Sequence, residues 1–248
     1  MIAAILIGRK GSQGFPGKNT AQIFGRPLFA YPLRAAAKVE AIDSIVVSSD
    51  DPAIHSYIAS RTDYPYAGKV IRYMERPSYL CTDDAQAGEV YQHVYKELRL
   101  HDTTTVDFEL LVLLMANAPM VTPEIIEEGI EVLRRDETLD SAITVSQYNQ
   151  WNPARARYID ERTHLRPMVL LPGATCDRNS VGDTWFADFG AVIVRPHCLE
   201  KLDGLPPQPW MGQTIYPLKQ WGGFDIDYPW QLPQIEYWLH QHGYTELA

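Results

Sequence analysis

The chain has 248 residues, of which 46% are hydrophobic and 21% charged, the usage of an ordinary globular protein rather than a disordered one. Its formal net charge of −9 argues against nucleic acid as a partner, so an anionic ligand must be met by cations gathered locally. Cys81, Cys176 and Cys198 are too few and too far apart for a disulfide framework or a paired-cysteine zinc site. The first apolar run is too short for a signal or membrane helix, so a cytoplasmic protein with no membrane partner is expected.

Apolar runs predict strands at Ile2–Ile7, Ser44–Ser48, Val70–Arg72, Glu109–Leu114 and Ser141–Val145. Helical periodicity predicts helices at Leu28–Val39, Pro52–Ser60, Ala85–Leu100 and Pro123–Arg135. Thr122-Pro123-Glu124 has a cap residue, a proline at the first helical position and an acid in the first turn. Strand–helix alternation predicts an α/β fold: a mostly parallel sheet with helices on both faces. After about residue 145 the rhythm changes to strands and loops, and Trp230–His242 reads as a closing helix. The whole chain, 1–248, is expected to be one domain, with 146–190 as an inserted extension.

The first strand opens into Gly8-Arg9-Lys10-Gly11-Ser12-Gln13-Gly14-Phe15-Pro16-Gly17-Lys18-Asn19. Glycines let backbone amides turn inward around an anion, and Arg9, Lys10 and Lys18 add charge for the same anion. A Walker loop would need glycine at Ser12 and a hydroxyl at Asn19; a dinucleotide fingerprint would run straight into a helix, which Pro16 prevents. Ser48–Asp51 follows the second strand, and both segments are expected to face one crevice at the carboxyl ends of the strands.

Asp225-x-Asp227 places two carboxylates on one side of an extended segment, a geometry that suits Mg²⁺ beside a triphosphate. Read alone, the pair is equally an acidic turn or a helix cap, and Asp51-Pro52 and Asp83 read equally as caps. His197-Cys198 and His240-x-His242 lack a spaced second pair of ligands, so ordinary roles are expected there.

In order along the chain, Arg9 to Asn19 resembles the N-terminal signature of the CMP-sugar-acid synthetases, the acylneuraminate cytidylyltransferases and their CMP-KDO relatives. Phe24-Gly25-Arg26-Pro27-Leu28, Val47-Ser48-Ser49-Asp50-Asp51, Arg76-Pro77 with Leu80-Cys81-Thr82-Asp83, and Phe224-Asp225-Ile226-Asp227 resemble its later motifs. The resemblance implies a single Rossmann-like nucleotidyltransferase domain whose extension makes a homodimer. It implies catalytic roles for Arg9, Lys18 and Asp227, with Asp188 as acceptor contact or general base. It implies nucleotide contacts from Gly8, Lys10, Gly11, Ser12, Asn19, Arg76, Thr82 and Asp83, and Mg²⁺ on Asp225 and Asp227.

Two departures matter. Gln13 replaces a loop lysine, and the segment Leu114–Val121 carries Met115 and Val121 where the family has glutamine and arginine. Asn117 of that segment and Arg155, Arg157 and Arg178, set among Arg166, Trp151, Trp185 and Asn179, are therefore the candidate acceptor contacts. The implied reaction joins CMP from CTP to a small anionic sugar acid with release of pyrophosphate. Alternatives are CTP or GTP with a sugar-1-phosphate or phosphonate, a glycosyltransferase built on the D-x-D pair, or a non-catalytic nucleotide-binding regulator.

Overall fold

The computed structural model describes residues 1–60, 69–101 and 107–245. The strands are β1 (Ile2–Gly8), β2 (Gln22–Ile23), β3 (Arg26–Pro27), β4 (Ser44–Ser49), β5 (Val70–Glu75), β6 (Leu110–Met115), β7 (Ser141–Gln147), β8 (Arg157–Ile159), β9 (Leu165–Pro167), β10 (Trp185–Val194) and β11 (Ile215–Gln220). The helices are α1 (Ala30–Lys38), α2 (Pro52–Ala59), α3 (Ala87–His101), α4 (Pro123–Arg135), α5 (Pro196–Lys201) and α6 (Leu232–Gln241). The five predicted strands and five predicted helices all form, with ends shifted by a few residues at most. The seven-stranded sheet runs β11-β7-β10-β6-β1-β4-β5. Every neighbouring pair is parallel except those made by β10, which is antiparallel to both β6 and β7.

Period-two alternation explains why β1 is apolar throughout. Ile2, Ala4 and Leu6 enter one core layer with Phe29 and Leu33 of α1 and Ile126 and Ile130 of α4. Ala3, Ile5 and Ile7 enter the other with Val90, Tyr91 and Val94 of α3. A strand covered on both faces has no polar side to show. From β1 the chain moves outward through β4 and β5, then returns to β6 on the other flank of β1. The strand order therefore reverses between β1 and β6, where ligands bind in open α/β sheets.

Local caps behave as the residue types require. Thr122 Oγ1 accepts from the Ile125 amide at 3.4 Å. Asp51 Oδ1 accepts from the Ala53 amide at 2.9 Å and is 8% exposed, so this carboxylate caps the start of α2. Asp51→Ala should lower stability by about 0.5–2 kcal/mol. A thermal melt showing no change would remove the capping role.

The segment between β7 and β10 leaves the sheet as an arm. It carries two short 3₁₀ turns and the β8–β9 hairpin, whose residues are all exposed, and then re-enters the sheet where Trp185, Phe186 and Ala187 pair with Gln147, Ser146 and Val145. No helix among the described residues is long and apolar enough to cross a membrane.

Candidate active site

A cleft of about 260 Å³ opens at the carboxyl ends of β1 and β6. It is lined by Gly8, Arg9, Ser12, Lys18, Asn19, Arg76, Asn117 and Asp227, together with Ile7, Leu80, Val90 and Met115. Gly8 is required there because a Cβ would lie 2.6 Å from that of Ala116. Gly11 and Gly17 have φ of +84° and +74°, which a side chain would strain. At Gly14 a Cβ would meet the Asp227 carbonyl at 2.8 Å, so this glycine lets the loop close against the D-x-D segment.

The loop is braced rather than free. Asn19, 5% exposed, donates from Nδ2 to the Arg9 carbonyl at 2.9 Å and so holds the loop while lining the cleft. The Lys10 amide donates to Asp50 Oδ1 at 2.7 Å, while Lys10 itself is exposed and does not line the cleft. Gly11, Thr82 and Asp83 are likewise exposed and outside the lining. Asp83 does not cap α3, which begins at Ala87. It pairs with Arg9 Nη1 at 2.6 Å and accepts from Gln13, and those hydrogen bonds, that of Arg9 first, hold its carboxyl below the usual value. Asp83 thus links Arg9 and Gln13 in a three-residue contact.

Arg76 is the most unusual member. It is 5% exposed, its Nη2 donates to the Ser48 carbonyl at 3.0 Å, and its Nε has no partner. Burial lowers its pKa, and no carboxylate pairs with it among the described residues. A buried donor without an acceptor is costly, and a polar ligand atom in the cleft would relieve that cost.

Ile226 between Asp225 and Asp227 is fully buried in a core cluster with Tyr31 and Trp238, which leaves Asp225 half-buried and Asp227 exposed. Asn117 fixes the segment: its carbonyl accepts from the Ile226 amide at 2.8 Å, and its Nδ2 reaches the Ile226 carbonyl at 3.2 Å and Asp225 Oδ2 at 3.3 Å. Asn117, expected to touch the acceptor, lines the first cleft and holds the Asp225 carboxylate and the Ile226 backbone. Burial, then the charge of Asp227, raises the pKa of Asp225; Lys18 and Asn117 oppose the shift. Lys18 Nζ lies 2.7 Å from Asp227 Oδ1 and 2.9 Å from the Ile226 carbonyl, so an ammonium already occupies the cation position. Two hard carboxylates that repel one another in a half-buried corner are a donor set that fits Mg²⁺.

A second cleft of about 440 Å³ adjoins this corner. Its lining includes Tyr148, Trp151, Phe186, Phe224, Asp225 and Trp230, with the amides Gln150, Gln231 and Gln234. Asp227 lines the first cleft and Asp225 the second, so the carboxylate pair stands at their junction.

A sequence model of the family described as cytidylyltransferase matches residues 3–156. The chain belongs to the cytidylyltransferase family. It is 28% identical over 166 residues to the CMP-N,N'-diacetyllegionaminic acid synthase of Legionella pneumophila, covering 66% of this chain and 65% of that one. It is 26% identical over 194 residues to the N-acylneuraminate cytidylyltransferase of Escherichia coli, covering 78% of this chain and 42% of that one. The matched part thus spans less than two thirds of either relative. A CMP:2-keto-3-deoxy-manno-octonic acid synthetase solved with CTP superposes with a TM-score of 0.66 at 16% identity, covering 97% of this chain and 99% of that one; this likeness is one of fold.

In this member of the family Asp188 lines the second cleft, while the expected acceptor arginines lie outside both clefts. Asp188 is 3% exposed, and its carboxylate accepts from Ser146 Oγ at 2.6 Å, Gln220 Nε2 at 2.9 Å and the Gly190 amide at 3.2 Å. It lies at the break in β10 register between Ala187 and Val192, and its bonds fix it in the wall of the second cleft. Arg155 donates to the Cys176 carbonyl, and Arg157 to the Ala154 and Ala156 carbonyls, so both guanidinia brace the arm. Arg166 pairs with Asp160 at 2.8 Å. Arg178 is exposed, and none of these arginines lines either cleft. Val121 is fully buried in the core, which explains an apolar residue there. The cleft residues missed by sequence reading, Tyr148, Phe224 and Trp230, left only the signal of aromatics near the arm and the D-x-D pair.

Proposed function

We propose that this chain transfers CMP from CTP to an acidic sugar and releases pyrophosphate, with Mg²⁺ held by Asp225 and Asp227. The observation that carries the reading is the junction: a cationic cleft and an aromatic cleft meet at two carboxylates, of which Asn117 holds Asp225 and Lys18 pairs with Asp227. Arg9 and Lys18 bind the triphosphate, exchanging their present carboxylate partners for phosphate oxygens. Arg76 offers its unpaired Nε to an acceptor on the base. Bound Mg²⁺ would neutralise charge on the α-phosphate and the departing pyrophosphate. The chain's own contribution is to hold a sugar hydroxyl in line with the α-phosphate, since positioning supplies much of such a rate.

The aromatic faces of Trp151, Phe186 and Trp230 supply apolar contact for the sugar ring and its substituents, and Gln150, Gln231 and Gln234 supply hydrogen bonds. Trp230→Ala should therefore raise the KM for the acceptor by roughly tenfold, equivalent to about 1.4 kcal/mol, while the KM for CTP stays level. Equal increases in both would take Trp230 out of the acceptor cleft.

A homodimer completes the proposal. On the arm, Ile159, Leu165 and Leu170 are 69%, 70% and 81% exposed, apolar area that a second copy would cover. A cytoplasmic location accords with the use of CTP. The test of the reaction is pyrophosphate release with Mg²⁺, scanning CTP, GTP, UTP and ATP against sugar acids and sugar phosphates. Release with CTP and a sugar acid is expected. Release confined to sugar phosphates would move the chain to the phosphorylated-acceptor reading, and release with no pair would refute the transferase reading of this panel.

A further inference from the structure

The pole of the sheet opposite the clefts carries a second group of potential ligands. Asp140 immediately precedes β7, and His197 and Cys198 lie in the first turn of α5. One donor atom from each, a carboxylate oxygen, an imidazole nitrogen and a thiol sulfur, all fall within 4.8 Å of one another. His197 Nε2 is 2.9 Å from Asp140 Oδ1, and the Cys198 Sγ faces the Asp140 carbonyl at 3.6 Å. Sequence spacing paired His197 only with its neighbour Cys198; the fold brings in Asp140 from 57 residues away.

The carboxylate is held in place by bonds that leave one oxygen for a ligand. Asp140 Oδ2 accepts from the Gln213 amide at 2.7 Å and the Thr214 amide at 2.9 Å, just before β11. Gly212 permits that approach, because a Cβ there would lie 2.4 Å from the Asp140 Cβ, and its φ is +80°. Hydrogen bonds that orient a ligating carboxylate are the usual outer support of a metal site. The Arg195 guanidinium donates to the carbonyls of Leu139, Leu133 and Asp136. The His197 side chain is 47% exposed, which leaves a way in from solvent, while Cys198 is buried.

We propose that Asp140, His197 and Cys198 form a three-ligand site for a borderline divalent transition ion such as zinc, with a fourth position open to water. Oxygen, nitrogen and sulfur donors together select zinc, cobalt or nickel over Mg²⁺. Tetrahedral zinc holds its donors about 3.5 Å apart, so a small rotation of His197 away from Asp140 opens the 2.9 Å contact to that spacing. On binding, the Cys198 proton passes to solvent and the sulfur lone pair goes to the metal. The ion would tie the starts of β7, α5 and β11 together, far from the Asp225–Asp227 pair.

Co²⁺ titration of the full chain tests this, because a thiolate ligand gives a near-ultraviolet charge-transfer band that an all-oxygen site such as Asp225–Asp227 does not. The wild-type protein should show that band with one Co²⁺ per chain. Cys198→Ser should abolish it, and His197→Ala, an exposed change that leaves the core intact, should weaken binding by roughly a hundredfold. Zn²⁺ should raise the melting temperature of the wild type and leave that of His197→Ala unmoved. Absence of the band in the wild type, or its persistence in Cys198→Ser, would overturn the assignment.

Discussion

Asp227→Asn is expected to leave the protein folded and to remove most of its turnover. The Lys18–Asp227 ion pair has an Asp227 side chain 57% exposed, and exposed pairs are worth only about 0–1 kcal/mol, so the melting temperature should barely move. Function depends on the same carboxylate far more. Removing one charged oxygen from the pair is expected to cost about 3–4 kcal/mol of transition-state stabilisation, roughly a 10²–10³-fold fall in kcat. Pyrophosphate release at saturating Mg²⁺, with circular dichroism on the same samples, reads both quantities. Unchanged turnover sinks the metal assignment. A parallel loss of fold and activity would make the D-x-D segment a structural element.

Arg76→Met separates a structural from a binding role in a different way. The methionine keeps most of the volume and removes a buried cation that has no carboxylate partner and leaves Nε unsatisfied. Removing the charge and the orphaned donor is favourable, and the loss of the bond to the Ser48 carbonyl offsets that gain, so the melting temperature is expected to move little. A hydrogen bond from a charged donor to the base is worth about 1.5–3 kcal/mol, so the KM for CTP should rise roughly ten- to a hundredfold. If the melting temperature falls and the KM for CTP does not move, Arg76 is a structural residue of the β4–β5 edge.

The amino-acid sequence by itself determined the α/β class, the parallel rhythm of strands and helices, the glycine-rich cationic loop and the paired carboxylates. Each of these is local. Period-two and period-3.6 apolar patterns report burial directly, and Arg9, Lys18, Asp225 and Asp227 are marked by neighbours within a dozen residues. The antiparallel turn of β10 was not legible at the same level, because its pairing with β6 and β7 depends on contacts 38 to 83 residues distant.

Only the tertiary structure decided what the remaining polar residues do. Whether a carboxylate or guanidinium faces a ligand depends on which partners reach it first. Asp188 meets Ser146, Gln220 and the Gly190 amide, so it supports a wall. Arg155 and Arg157 meet backbone carbonyls of their own arm, so they brace it. Asn117 meets Asp225 and the Ile226 carbonyl, so it holds that segment in place. The aromatic cleft draws Tyr148, Phe186 and Trp230 from three separate segments, and the group at Asp140, His197 and Cys198 draws on two. Sequence carries the chemistry of each side chain, but hydrogen-bond satisfaction is settled in space, and that is what divides the groups left open to a ligand from those already spoken for.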